Sequence, residues 1–237
     1  MLASDSRSNA GVDQVVQVCK LATFVVPGER VVAILSAGNR ATSQAVVSQL
    51  REDEGSKEPT RDILSARTLM HVSELVGARL REIIDRDHKY VEPYGDVSAT
   101  FLVGGQIKGE PPRLFEVYAA GNFIEATPRS PFLQIGETKY GKPILDRALT
   151  PDTNLAHAAK LALLSFDATI RSNISVGLPI DMLQYQTDSF STDNLITLEE
   201  HNPYWRALRQ DYSEGLAGLV DRLPPPPGRL RVTGRGG

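Results

Sequence analysis

The chain has 237 residues, 41% hydrophobic and 23% charged, with 26 basic against 29 acidic side chains and a formal net charge of -3. That balance belongs to an ordinary soluble globular protein long enough to bury a substantial core, and it gives no electrostatic case for nucleic acid or an anionic membrane surface as partner. No run approaches 18 apolar residues and no basic-then-apolar leader opens the sequence, so neither a membrane span nor a signal peptide is expected and the location is read as cytoplasmic; the single Cys19 cannot form an internal disulfide, which agrees with a reducing compartment.

Leu2 to Asp5 reads as the end of a strand, and Ser6 to Gly11 as a polar turn. Val15 to Val26 is largely apolar and β-branched, Pro27-Gly28 is a turn, and Arg30 to Leu35 returns as Arg-Val-Val-Ala-Ile-Leu. This is a hairpin whose strands, apolar without strict alternation, are expected to be covered on both faces. Ala41 to Arg51 has helical spacing, a polar loop covers 52–60, and a longer helix is predicted from about Arg61 to Ile84 on the stripe Leu64, Leu69, Val72, Leu75, Val76, Leu80 and Ile83.

Strands are predicted again at Val97–Val103, Leu114–Ala119 and Phe123–Ala126, in a meander with a turn at Gly121-Asn122. A short helix follows at Lys142–Arg147, then a long one from a Thr150-Pro151-Asp152 cap to about Arg171. Strands at Leu178–Gln186 and Asn194–Leu198 precede a last helix from Asn202 to Leu223, ended by four prolines. The expectation is one α+β domain over 1–223 with helices covering two sheets, and a disordered Pro/Gly/Arg-rich tail over 224–237.

Four blocks in order carry a family resemblance: Ser4-Asp-Ser-Arg-Ser-Asn-Ala-Gly-Val-Asp13, Leu35-Ser-Ala-Gly-Asn39, Ile135 to Arg147, and Arg171-Ser-Asn-Ile-Ser-Val-Gly-Leu-Pro-Ile-Asp181. They resemble proteasome β-subunits, N-terminal-nucleophile (Ntn) hydrolases with a four-layer αββα sandwich, and more specifically the Anbu (ancestral β-subunit) branch in bacteria. The resemblance covers Met1 to about Leu223. It implies a threonine-type peptidase or amidase acting on peptide or protein substrates, with identical subunits as partners in a ring or an open helical assembly.

In such an enzyme the hydroxyl of an N-terminal Thr attacks and its own α-amine takes the proton. By resemblance, Lys20 tunes that amine, Asp5 orients and neutralises Lys20, and the Gly38 amide donates to the oxyanion. Ser172 and Ser175 match the serine-bearing Asp-x-x-Ser block, with Asn173 or Ser172 where the aspartate stands; Gly136-Glu137-Thr138 replaces a Gly-Ser-Gly. Side chains near Asn9, Lys20 and Cys19 would shape the substrate pocket. The family position of Asp5 also implies a strand and turn of roughly a dozen residues before it, where four are present. The nucleophile is therefore expected on a strand that this sequence does not contain, and the alternative is a non-catalytic scaffold that kept the fold.

Without the resemblance the same residues have plainer readings. Asp5 and Lys20 make a structural ion pair, Gly38 is a turn glycine, and Glu137 with Lys139 is a solvated turn. Cys19 reads as a small core residue or a perturbed thiol. His71, His88, His157 and His201 lack ligand spacing, and Gly104-Gly105 with Lys108 lacks a phosphate-loop pattern, so no metal and no cofactor are expected.

Overall fold

A computed structural model describes residues 1–10 and 14–227; the predicted tail beyond 227 lies outside the described residues. The strands are β1 (Leu2–Asp5), β2 (Arg7–Ala10), β3 (Gln14–Gln17), β4 (Leu21–Val26), β5 (Arg30–Gly38), β6 (Ala99–Ile107), β7 (Arg113–Val117), β8 (Phe123–Glu125), β9 (Ile180–Leu183) and β10 (Leu195–Leu198). The helices are α1 (Arg40–Glu52), α2 (Leu69–Val91), α3 (Lys142–Ala148), α4 (Leu155–Ser172) and α5 (Pro203–Arg222). All strand pairs are antiparallel: a five-stranded sheet β4-β5-β6-β7-β8, a three-stranded sheet β1-β9-β10, and the separate pair β2-β3.

Strand β5 explains how the core is laid out. Its residues Val31 to Leu35 are at most 2% exposed, because alternate side chains enter two different apolar clusters. Val32 and Ile34 join Phe101, Val103 and Phe115 beneath α1 and α2, where Val46, Leu50, Val72, Val76 and Leu80 are buried. Val31, Ala33 and Leu35 face Leu2, Leu102, Leu183 and Tyr185, a cluster drawn from both larger sheets. A third cluster joins Ile180, Met182 and Leu198 to Ala159 and Leu163 of α4 and Trp205 of α5. Of the two hairpin strands expected to be covered on both faces, β5 is so covered, while in β4 only Leu21 and Phe24 are buried. The fold is a mixed α/β arrangement with antiparallel sheets.

Several predicted boundaries move, each for a local reason. The run Val15–Val26 splits into β3 and β4: Val18 N donates to the Ser6 carbonyl at 2.7 Å as the chain passes from the small hairpin into the five-stranded sheet. The second helix starts at Leu69, not Arg61. Asp62 accepts from Leu64 N at 2.8 Å and from Ser65 Oγ at 2.7 Å, so its side chain competes with helical bonding. Buried Arg30 then donates to the Ala66 carbonyl at 2.9 Å, and Thr68 caps α2 by accepting from His71 N. Ile63 and Ala66 are fully buried in this non-helical segment.

Likewise α4 is capped by Asn154, whose Oδ1 accepts from His157 N at 2.9 Å, while Thr150 N donates to Thr153 Oγ1 in a preceding turn. The Thr150-Pro151-Asp152 signal marks that turn and not the helix start. Strand β9 ends at Leu183 because the following loop turns back on itself. Gln106 ties that loop to β6, its Oε1 accepting from Tyr185 Oη at 2.7 Å and from Asp188 N at 2.8 Å. Helix α5 begins as predicted, with Asn202 as cap. Among the described residues no helix is long and apolar enough to cross a membrane.

Candidate active site

Asp5 ends β1 and is 8% exposed. Its Oδ1 accepts from Lys20 Nζ at 2.6 Å, and its Oδ2 accepts from the backbone N–H groups of Arg7 and Gly177, each at 3.1 Å. Three donors from three segments fix this carboxylate, and the carboxylate in turn fixes the ammonium. Lys20 sits just before β4, with its side chain 21% exposed. The Gly177 position is closed from above: a Cβ there would collide with the Arg7 guanidinium, which itself donates to the Ile174 carbonyl at 2.9 Å.

Gly38 ends β5 opposite Ala99. Its φ of +97° lies where side chains are disfavoured, and a Cβ would stand 2.6 Å from the Ser98 carbonyl oxygen. Helix α1 starts beside it: Asn39 accepts from Thr42 N at 3.1 Å and donates to the Asp96 carbonyl at 2.8 Å.

Asp5, Lys20, Cys19, Gly38 and Ser175 all line one cavity of about 1370 Å³ that runs along β1 and between the two larger sheets. Ser172 does not reach it: it ends α4 and is exposed. Asn9 is in β2, paired with Val15, and its side chain lies outside the described residues. Cys19 is exposed and not a core residue; its Sγ donates back to the Leu21 carbonyl at 3.0 Å. Partial covering of the thiol, and the nearby Asp181 carboxylate, push its pKa up.

Two residues set aside in the sequence also belong here. Glu137 and Gly136 line the same cavity, and Glu137 Oε2 accepts from Asn173 Nδ2 at 2.7 Å. Asn173 Oδ1 accepts from Ser175 N at 2.8 Å and Ser175 Oγ at 2.6 Å. The solvated-turn reading of Glu137 fails for this reason. The only sequence signal was its place, directly after the Gly136 of the third resembling block. Among the described residues no group of three or more His, Cys, Asp or Glu side chains forms a metal-binding cluster.

A carboxylate–lysine pair and a glycine at positive φ thus share one cavity in a mixed α/β fold of antiparallel sheets. No family model and no curated protein matches the sequence. Solved structures do. Anbu (ancestral beta-subunit) from Yersinia bercovieri has TM-score 0.90 and 46% identity, covering 96% of this chain and 94% of its own. The helical assembly of the Anbu complex from Pseudomonas aeruginosa has TM-score 0.90 and 47% identity, covering 95% and 92%. An Anbu (Gly-1) mutant from Hyphomicrobium sp. strain MC1 has TM-score 0.87 and 44% identity, covering 94% and 92%. The chain belongs to the Anbu family.

Proposed function

We propose that this chain is a subunit of a self-assembling cytoplasmic threonine-type peptidase or amidase, built as a four-layer αββα sandwich. The layering is supported by the three apolar clusters, which join helices to the five-stranded sheet, that sheet to the three-stranded one, and the latter to α4 and α5. The observation that carries the activity is the Asp5–Lys20 pair at 2.6 Å on the same cavity as Gly38.

The chemistry assigned to these residues is electrostatic. An ammonium held beside the nucleophile's amine disfavours a second positive charge there, so the amine stays neutral and able to accept a proton. Asp5 keeps Lys20 in place, and the Gly38 backbone donates to the oxygen that gains negative charge. The nucleophile in this reading is an N-terminal threonine on a strand outside residues 1–237, lying along β1 at the cavity. Copies of the chain assemble as a ring or open helix. Exposed Leu216, Leu219 and Val220 on the C-terminal half of α5, with Leu223 just beyond it, give apolar surface for such contacts.

The test is labelling and turnover of the protein as its natural gene encodes it. A β-lactone electrophile should acylate one N-terminal threonine, and Lys20→Ala should lower peptide hydrolysis by at least about 100-fold. Full activity in Lys20→Ala removes that residue from the mechanism. A second reading, a scaffold that lost catalysis, is favoured by Glu137 and Asn173 standing where related hydrolases carry a serine and an aspartate; no labelling of any threonine would select it.

A further inference from the structure

Helix α1 presents to the cavity a face that the mechanism above leaves unused. Arg40, Gln44, Val47, Ser48 and Arg51 line the cavity at helical spacing, while Thr42, Val46 and Leu50 are buried. The far end of this face is pinned on β4: Arg51 Nη2 donates to the Thr23 carbonyl at 3.4 Å, and its guanidinium lies 4.9 Å from the Phe24 ring centre. Because the chain turns back after β5, α1 runs in the direction of β4. The helix rises about 16 Å between Arg40 and Arg51, the length of about five strand residues, so Arg40 is level with the segment Val18–Lys20. That segment extends the β4–β5 register beside Ser36–Gly38 and lines the same cavity.

The charged groups on the cavity do not balance. Its carboxylates are already engaged: Asp5 holds Lys20, Glu125 holds Arg113, and Glu137 accepts from Asn173. Of the cations, Arg7 donates to the Ile174 carbonyl, and Arg51 is held between the Phe24 ring and Glu54. Arg40 is exposed, and among the described residues it pairs with no carboxylate. The first turn of α1 also has no acidic residue to offset the positive end of its dipole, so both features favour an anion here. Asp181, the carboxylate near the Cys19 thiol, is itself held by Thr197 Oγ1 at 2.6 Å.

We propose that Arg40 makes the recess between α1 and Val18–Lys20 a subsite for an acidic side chain, that of the residue whose carbonyl is attacked. This rests on the threonine-hydrolase reading of the same cavity, in which that carbonyl oxygen lies at the Gly38 amide. Arg40 opens α1 just beyond Gly38, on the side where the adjoining side chain enters. A peptide lying along the cavity covers the guanidinium, and a charge-assisted bond to its carboxylate is then about twice as strong as a neutral one. Ser36, Gln44 and Ser48 add uncharged hydrogen-bonding groups around it.

The test compares peptide substrates with Glu, Gln, Leu or Lys before the cleaved bond, on the protein as its natural gene encodes it. Glu should exceed Gln in kcat/KM by about tenfold. Arg40→Gln should bring that ratio to about one, and Arg40→Glu should turn the preference to Lys. A parent that favours Leu or Lys over Glu overturns the proposal, as does a Glu preference that survives in Arg40→Gln. A parent that cleaves none of these peptides removes the hydrolase reading, and equilibrium binding of acetylated tetrapeptide amides with Glu or Gln at that position then decides. Glu binding about tenfold tighter than Gln, with the difference lost in Arg40→Gln, upholds the acidic subsite, and equal binding overturns it.

Discussion

The cavity has two walls made in different ways. Asp5 and Gly38 are strand residues, and Lys20 adjoins a strand; they are placed by ladders whose side chains fill two apolar clusters. Glu137, Asn173 and Ser175 are on connections, placed by a short chain of side-chain hydrogen bonds. The strand-built wall gets its accuracy from the whole core, whereas the loop-built wall depends on a few polar contacts. A change in the first should therefore register in global stability, and a change in the second mainly in local order and rate.

The largest effect should come from Asp5→Ala. It leaves the Lys20 ammonium and the Gly177 N–H without their acceptor, and unfolding in urea should show a loss of about 3 kcal/mol. A loss as small as that of a surface substitution would make the pair an ornament of the fold and erase the contrast. Gly38→Ala comes next. Its φ of +97° and the Ser98 carbonyl in the path of a Cβ should cost about 2 kcal/mol, read as a lowered urea midpoint with unchanged slope.

The smallest effect touches no stability at all. Because the Cys19 thiol is pushed up by partial covering and by Asp181, alkylation by iodoacetamide near neutral pH should be slower than for a free cysteine. The rate should climb as pH passes the ordinary thiol value and level off only above it, since the thiolate is the reacting form. Asp181→Asn should bring that rise to lower pH. A rise at or below the ordinary thiol value would show that Cys19 is not held as described.

The same division explains what could be read from the sequence. Periodicity and β-branched runs found the β4–β5 hairpin, α1 and the β6–β7–β8 meander, whose apolar residues pack into the core, and also α5, although Trp205 is the one residue that helix buries. The strand-built wall followed, with Asp5, Lys20 and Gly38 placed by resemblance and brought to one cavity. Where a polar side chain decides the backbone, pattern failed: Asp62 delayed α2 by eight residues from the predicted Arg61 to Leu69, and Asn154 took the cap assigned to Thr150. Glu137 was missed for the same reason. Its partner Asn173 is distant in sequence, and no local rule links a turn glutamate to the end of a helix.

The double role of β5 has a consequence for how this site can vary. One strand serves as the floor of one apolar cluster and the ceiling of another, and the same strand delivers Gly38 to the cavity. A substitution beneath α2 and one beneath β1 are both transmitted to that glycine, so its position cannot be adjusted without disturbing two cores. The turn after Gly136 and the segment after α4 carry no such double burden, because hydrogen bonds among Glu137, Asn173 and Ser175 place them and not a strand shared by two cores.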